Sequence, residues 1–358
     1  MSRGLGRLLT VLAGVLALLA LAGPASAHVG GEAAASDFDG RVVAVTPELP
    51  GVTVRVLQFG DELELVNTSD TEVLVPGYSG EPYLRIGPDG VWRNTHAPAT
   101  YINLDRYGRT ALPAHADPDA APEWEQVSTR PEYVWHDHRT HWMSEGVLPR
   151  QVAADPTREH VVSEWVVPVR HGATEGEIAG VLTWSPPPSA WLMWPVVAGL
   201  LSLTVAAGLL ARTPRPLGAV LAVGAAAALW HAVATPAPPV TAGSHAGAIV
   251  SALLPGLATL LCAGVGVRAA LRGRGAMTGL LAVVTGWLLL VQGLPDVDVL
   301  WSANVASAGP EILARAAVTV LATLGAGLVI GGIAAVRRFR EADAEPTGAD
   351  AGHRVPVA

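Results

Sequence analysis

The sequence predicts a cleaved signal peptide, an extracytoplasmic all-β domain of the Ig-like sandwich type, and a bundle of five transmembrane helices. Three observations carry that prediction. An apolar leader ends in a small-residue triplet, the composition changes abruptly near residue 188, and five later runs are apolar enough to cross about 30 Å of hydrocarbon.

The leader begins with Arg3 and Arg7, continues through the apolar run Leu8 to Leu21 and reaches Ala25-Ser26-Ala27. Cleavage after Ala27 makes His28 the mature amino terminus. An uncleaved anchor is the competing reading; the shortness of the run and its ending in Gly23-Pro24 argue against it.

Residues 28–188 form the polar half, with 24 acidic residues against 11 basic ones, all arginine. Such a surface repels nucleic acid and anionic headgroups and attracts cations. Short alternating runs at Arg41–Val45, Val52–Leu57, Glu62–Asn67, Thr71–Val75, Val161–Arg170 and Glu177–Trp184 read as strands between turn residues. The stretch from Gly77 to Arg130 is rich in Pro, Gly, Asp and Asn and reads as a long irregular insertion. Its aromatic residues Tyr78, Tyr83, Trp92, Tyr101 and Tyr107 suit a protein contact. Pro186-Pro187-Pro188 stiffens the exit, and Trp191 and Trp194 sit where aromatic rings prefer the membrane interface.

The spans are expected near Trp191–Ala211, Leu217–Ala234, Ala246–Val267, Ala276–Leu294 and Ile312–Val336, within a membrane half of residues 189–340. Arginines follow the first span (Arg212, Arg215), the third (Arg268, Arg272, Arg274) and the fifth (Arg337, Arg338, Arg340), and the other two connections have none. The positive-inside rule puts those arginines and a disordered tail, 341–358, in the cytoplasm, with the β domain on the opposite side of a multi-pass cell-membrane protein. Gly327 and Gly331 suit close helix contact, and Glu311 with Arg315 reads as a local ion pair four residues apart. The single cysteine, Cys262, excludes an intramolecular disulfide. The absence of Lys beside abundant Ala, Arg and Gly fits a high-GC bacterial genome.

The densest ligand chemistry lies in Trp135-His136-Asp137-His138-Arg139-Thr140-His141-Trp142-Met143. Imidazole is the commonest protein ligand for copper and zinc near neutral pH. On a strand His136 and His138 share a face, and a turn at Arg139-Thr140 brings His141 back. Met143 adds a thioether, and Asp137 is placed to orient an imidazole. His28 chelates through its amine and ring together. A polar loop whose imidazoles bond carboxylates is the competing reading of the cluster, and a frayed terminus that of His28. His231 and His245 are weaker candidates in the membrane half, with Asp296 and Asp298 in the next connection able to join them. His96, His115, His160 and His171 are isolated.

A leader releasing an amino-terminal His, a small β domain and membrane histidines on the same side resemble the bacterial copper-resistance C and D proteins joined in one chain. The segments Trp165-Val166-Val167-Pro168-Val169-Arg170-His171-Gly172 and Gly180-Val181-Leu182-Thr183-Trp184 are similar to the closing hairpin of the C-type domain. The Ala27-His28-Val29 junction is similar to that of secreted copper-binding proteins of the YcnI type. The resemblance implies a copper ligand at His28. The chain departs from the pattern in lacking a Met-rich segment and in carrying Arg170-His171-Gly172 where the family has an acidic residue, Gly and His.

The expectation is a membrane-anchored protein that captures or presents a metal ion, copper before zinc. The alternative is a non-catalytic envelope module that binds a protein or cell-wall partner. No HExxH, no GxSxG elbow and no phosphate-cradling glycine loop speaks for an enzyme.

Overall fold

The computed structural model describes residues 34–344. The expected signal peptide, His28 and the tail from residue 345 lie outside the described residues. Residues 341–344, expected to be disordered, continue the last helix.

The alternating runs of the polar half become antiparallel strands. β1 (Ala35–Ser36), β2 (Phe38–Thr46), β3 (Val52–Leu57), β4 (Glu62–Asn67) and β5 (Val73–Pro76) come first. After them run β6 (Pro82–Gly87), β7 (Gly90–Asn94), β8 (Trp124–Ser128), β9 (Glu132–His136), β10 (His160–His171) and β11 (Thr174–Trp184). One sheet has the order β2-β11-β10-β5-β6-β7-β8 and a second the order β3-β4-β9. Two one-turn helices, α1 (Pro98–Ile102) and α2 (Arg150–Ala154), fill connections.

Period-two patterning decides which faces are buried. Along β10, Trp165, Val167 and Val169 are buried, and Glu164, Val166, Pro168 and Arg170 between them are exposed. The Trp165 ring lies flat over Gly180 of β11, where an added Cβ would stand 2.0 Å from it. These residues join Leu63 and Leu65 of β4, Ile86, Ile178 and Leu182 in one core shared by both sheets. Each such side chain contributes roughly 1.5–3 kcal/mol when fully buried.

The stretch from Gly77 to Arg130 is only in part the irregular insertion that its composition suggests: Thr95 to Glu123 is irregular apart from α1. The rest supplies β6, β7 and β8, which extend the larger sheet. Asn94 and Asn67 brace these strands by donating from Nδ2 to the carbonyls of Pro82 (2.7 Å) and Ile86 (2.8 Å).

Five helices are long and apolar enough to cross a membrane, making this a multi-pass membrane protein. They are α3 (Ala190–Leu209), α4 (Arg215–Val233), α5 (His245–Leu271), α6 (Gly275–Gly293) and α7 (Glu311–Ala344). α7 is central and packs on α3, α4 and α6. Small residues let the backbones close: a Cβ on Gly208 would meet the Gly331 carbonyl at 2.1 Å, and one on Gly327 the Thr204 side chain at 2.6 Å. The helices alternate in direction, so the arginines near residues 212, 272 and 338 collect at one end of the bundle. There the Arg338 guanidinium bonds the carbonyls of Leu209 and Ala211.

The β domain sits on the opposite end. β1 pairs with β12 (Asn304–Val305), in the connection between α6 and α7. The Ala303 amide donates to Asp37 (2.9 Å), and the Ala35 amide to Asp298 (3.2 Å). At a second point, in the α4–α5 connection, Arg55 donates to the Pro238 carbonyl and Glu64 accepts from the Val240 amide, both at 2.7 Å. Arg315 is bound differently from the expected local pair with Glu311. Its guanidinium donates to the backbone carbonyls of Val299, Ser302 (2.8 Å) and Ala303 (2.9 Å), because one planar fork satisfies three acceptors of a tight connection.

Candidate functional site

The histidine-rich segment lies where β9 ends against β4. Glu62 and His136 are direct cross-strand partners, with His136 Nε2 at 3.6 Å from the Glu62 carboxylate. The His136 Nδ1 atom is 3.2 Å from the Asp61 carbonyl.

After β9 the chain turns sharply. The Thr140 amide donates to the Asp137 carbonyl at 3.0 Å, and the Thr140 hydroxyl bonds the Gly60 and Asp137 carbonyls. This turn brings the rings of His138 and His141 edge to face, with centroids 5.5 Å apart. His138 Nε2 is 2.9 Å from the Asp105 carbonyl.

Asp137 does not orient an imidazole. It is fully buried and holds the Arg139 guanidinium through two bonds of 2.7 and 2.6 Å, with Trp135 Nε1 at 3.0 Å. A buried carboxylate takes the strongest bidentate cation in reach, and Arg139 is two residues away. Met143 lies half-buried in the irregular segment beyond.

His141 is the most enclosed of the group, with its side chain 2 % exposed. Its Nδ1 is 3.2 Å from the Trp142 carbonyl and 3.8 Å from the Asp61 carboxylate. A carbonyl accepts only, so Nδ1 carries the proton and Nε2 carries the lone pair. That Nε2 is buried without a hydrogen-bond partner among the described residues. Burial holds the ring down at about 4, so it is neutral near pH 7. Burial likewise raises the Asp61 and Glu62 carboxyls, against the attraction of Arg106 and His136 on Asp61 and of His136 on Glu62.

Asp61, Glu62, Asp105 and Arg106 are the residues that sequence reasoning missed here. Arg106 pairs with Asp61 at 2.9 Å. The segment before Asp61 is backbone-strained: Gln58 and Phe59 have φ of 52° and 58°, and Gly60 reaches 127°. A non-glycine run in left-handed backbone would have been the sign, but it is not visible in residue types.

The other candidates separate. Near the seat of the β domain, His231 Nε2 lies 3.2 Å from the Asp296 carboxylate, with side chains 14 % and 5 % exposed. His245 does not join them; its Nε2 is 2.8 Å from the Thr235 carbonyl. His96, His115, His160 and His171 each have a local partner: Ala121 O, Tyr101, Asp155 O and Ser69. Among the described residues, no group of three or more His, Cys, Asp or Glu side chains is arranged to hold a metal ion. The cluster therefore offers one open buried nitrogen in an acidic setting, not a closed ligand set. No family model, curated protein or solved structure matches the chain.

Proposed function

We propose that the protein is an envelope metal-handling protein that captures copper, or with lower preference zinc, on the extracytoplasmic side of the membrane and presents it at the bundle. In this reading residues 1–27 are a removed signal peptide, the two sheets sharing one core are an Ig-like sandwich, and the arginine-rich end of the bundle is cytoplasmic. The observation that carries the reading is His141. Its Nδ1–H is fixed on a backbone carbonyl and its Nε2 lone pair is buried and without a partner among the described residues, which is the tautomer and orientation of a metal-ligating histidine. His138 beside it, Met143 two residues on, the acidic pair Asp61 and Glu62, and His136 are the candidate co-ligands, and they would have to turn toward Nε2 to join it. A ligand set needs further donors brought to His141, and the amino-terminal His28 has the chemistry to supply one.

The test is titration of the full chain, purified in detergent with its native amino terminus, with Cu2+ and Cu+. The reading expects one equivalent bound at micromolar affinity or tighter through the β domain, and His141→Ala weakening it at least tenfold. Binding in the millimolar range, or equal for wild type and His141→Ala, removes it.

A second reading, a module that binds an envelope partner, is favoured by the outer face of the large sheet. There Val166, Ala179 and Ala44 stand side by side across three strands, next to the exposed Val43. Crosslinking in intact cells that recovers a partner in the presence of a chelator supports it.

A further inference from the structure

The membrane half carries its own pair of metal-type donors, separate from the β-domain cluster. His231 stands near the end of α4 and Asp296 just beyond α6, and their Nε2 and Oδ2 atoms are 3.2 Å apart. Two donors bound to one ion at 2.0–2.2 Å, at 90–109° to each other, stand about 2.8–3.6 Å apart. The observed separation falls within that range, which a direct ion pair shares.

The pair also has room for the remaining ligands. A cavity of about 20 Å³ lies on one side, between Ala34, Thr235, Val305 and Ser307. Another of about 40 Å³ lies on the other, between Pro255, Gln292 and Pro295. Both include His231 and Asp296 in their walls. Each is large enough for one or two waters, which need about 10–15 Å³ apiece on this measure. The first cavity is roofed by Ala34, next to the strand that seats the β domain, so the site lies at the junction of the two halves.

A buried His–Asp pair is often only a structural hydrogen bond. Water-sized space on both sides is what a purely structural pair does not need. Ionisable groups among membrane helices are costly and mark functional positions.

We propose that His231 and Asp296 form a second metal site, which takes a divalent transition-metal ion of the copper(II) or zinc class, with water completing its shell. The ion replaces the proton on His231 Nε2. The choice of ion rests on the reading of the protein as a metal handler; the geometry does not depend on the β-domain cluster.

The experiment uses full-length protein in detergent micelles and Cu2+ alone as probe. In a His141→Ala background the site retains one equivalent, whose pulsed electron paramagnetic resonance shows a single imidazole nitrogen. His231→Gln or Asp296→Asn added to that background weakens binding at least tenfold and abolishes the imidazole signature. Zn2+ raises the Tm of the His141→Ala protein and leaves that of His141→Ala/Asp296→Asn unchanged. Should either membrane variant fail to fold, the His141→Ala protein alone decides, because zero equivalents or a multi-imidazole spectrum overturns the site. Binding insensitive to both membrane substitutions overturns it equally. If wild type and His141→Ala bind alike and only the membrane substitutions weaken binding, this site stands and the β-domain reading falls.

Discussion

Glu64 accepts a hydrogen bond at 2.7 Å from the backbone amide of Val240, which lies 176 residues further along the chain. The same carboxylate holds Arg55 at 2.5 and 3.0 Å, and Arg55 reaches on to the Pro238 carbonyl. One buried acid thus joins β4 to a connection of the membrane half.

Glu64→Ala removes the bond to Val240 and leaves Arg55, the other attachment, without the carboxylate that holds it in place. A cost of about 2 kcal/mol is expected, since Arg55 remains partly hydrated. Hydrogen exchange should speed up in residues 236–242 while the core amides of β10 and β11 stay protected. Unchanged exchange at 236–242 would show that the contact does not hold the halves together.

Arg315→Ala leaves three carbonyls of the α6–α7 connection without their donor, at a cost of roughly 2–4 kcal/mol. Arg315→Lys should recover only part of this, because an ammonium cannot reproduce the planar fork. Thermal unfolding in detergent should rank wild type above Lys above Ala; equal Lys and wild-type proteins would contradict the role of the fork.

His141 makes stability depend on pH. Its ring titrates near 4 in the folded protein against 6.5 ordinarily. The unfolded chain therefore binds the proton more readily. The stability tied to this ring is complete above pH 6.5 and is lost as pH falls from about 6.5 to 4, a total of about 3 kcal/mol. The raised Asp61 and Glu62 carboxyls favour the folded state as they protonate, so they oppose the loss in the lower part of that window. Unfolding transitions of wild type and His141→Gln between pH 7 and 4.5 should diverge, with the variant showing the shallower pH slope.

Gly208→Leu places a side chain where the Gly331 carbonyl already stands, 2.1 Å from the first added carbon. α3 must then separate from α7. A lower Tm in detergent is expected, and Gly199→Leu, at an open position of the same helix, should cost little. Equal effects of the two would refute close packing at Gly208.

The five helices were legible because lipid imposes one long, uniform signal. Their observed starts fall within two residues of those expected, and α5 and α7 run four and eight residues past their expected ends. β3 and β4 were found to the residue, since Val52–Leu57 and Glu62–Asn67 alternate cleanly. β6, β7 and β8 were not, because five- or six-residue strands broken by Pro82, Gly87 and Gly90 look like loop and gain their register only from neighbours. The candidate site divided in the same way. His136, His138 and His141 could be picked out by proximity in sequence, whereas Asp61 and Arg106 reach them only through the β4–β9 pairing and a distant loop. Likewise Asp137 lost its expected part to a nearer arginine, and His231 found Asp296 rather than His245.

The pairing of β1 with β12 fastens the leading edge of the β domain, while the stretch from Ser185 to Ser189 fastens its trailing edge directly to α3. A body held at these two points and at a third, through Arg55 and Glu64, has no free axis of rotation. Lengthening the proline run alone would therefore leave it seated, and turning it would first require unzipping a two-residue strand.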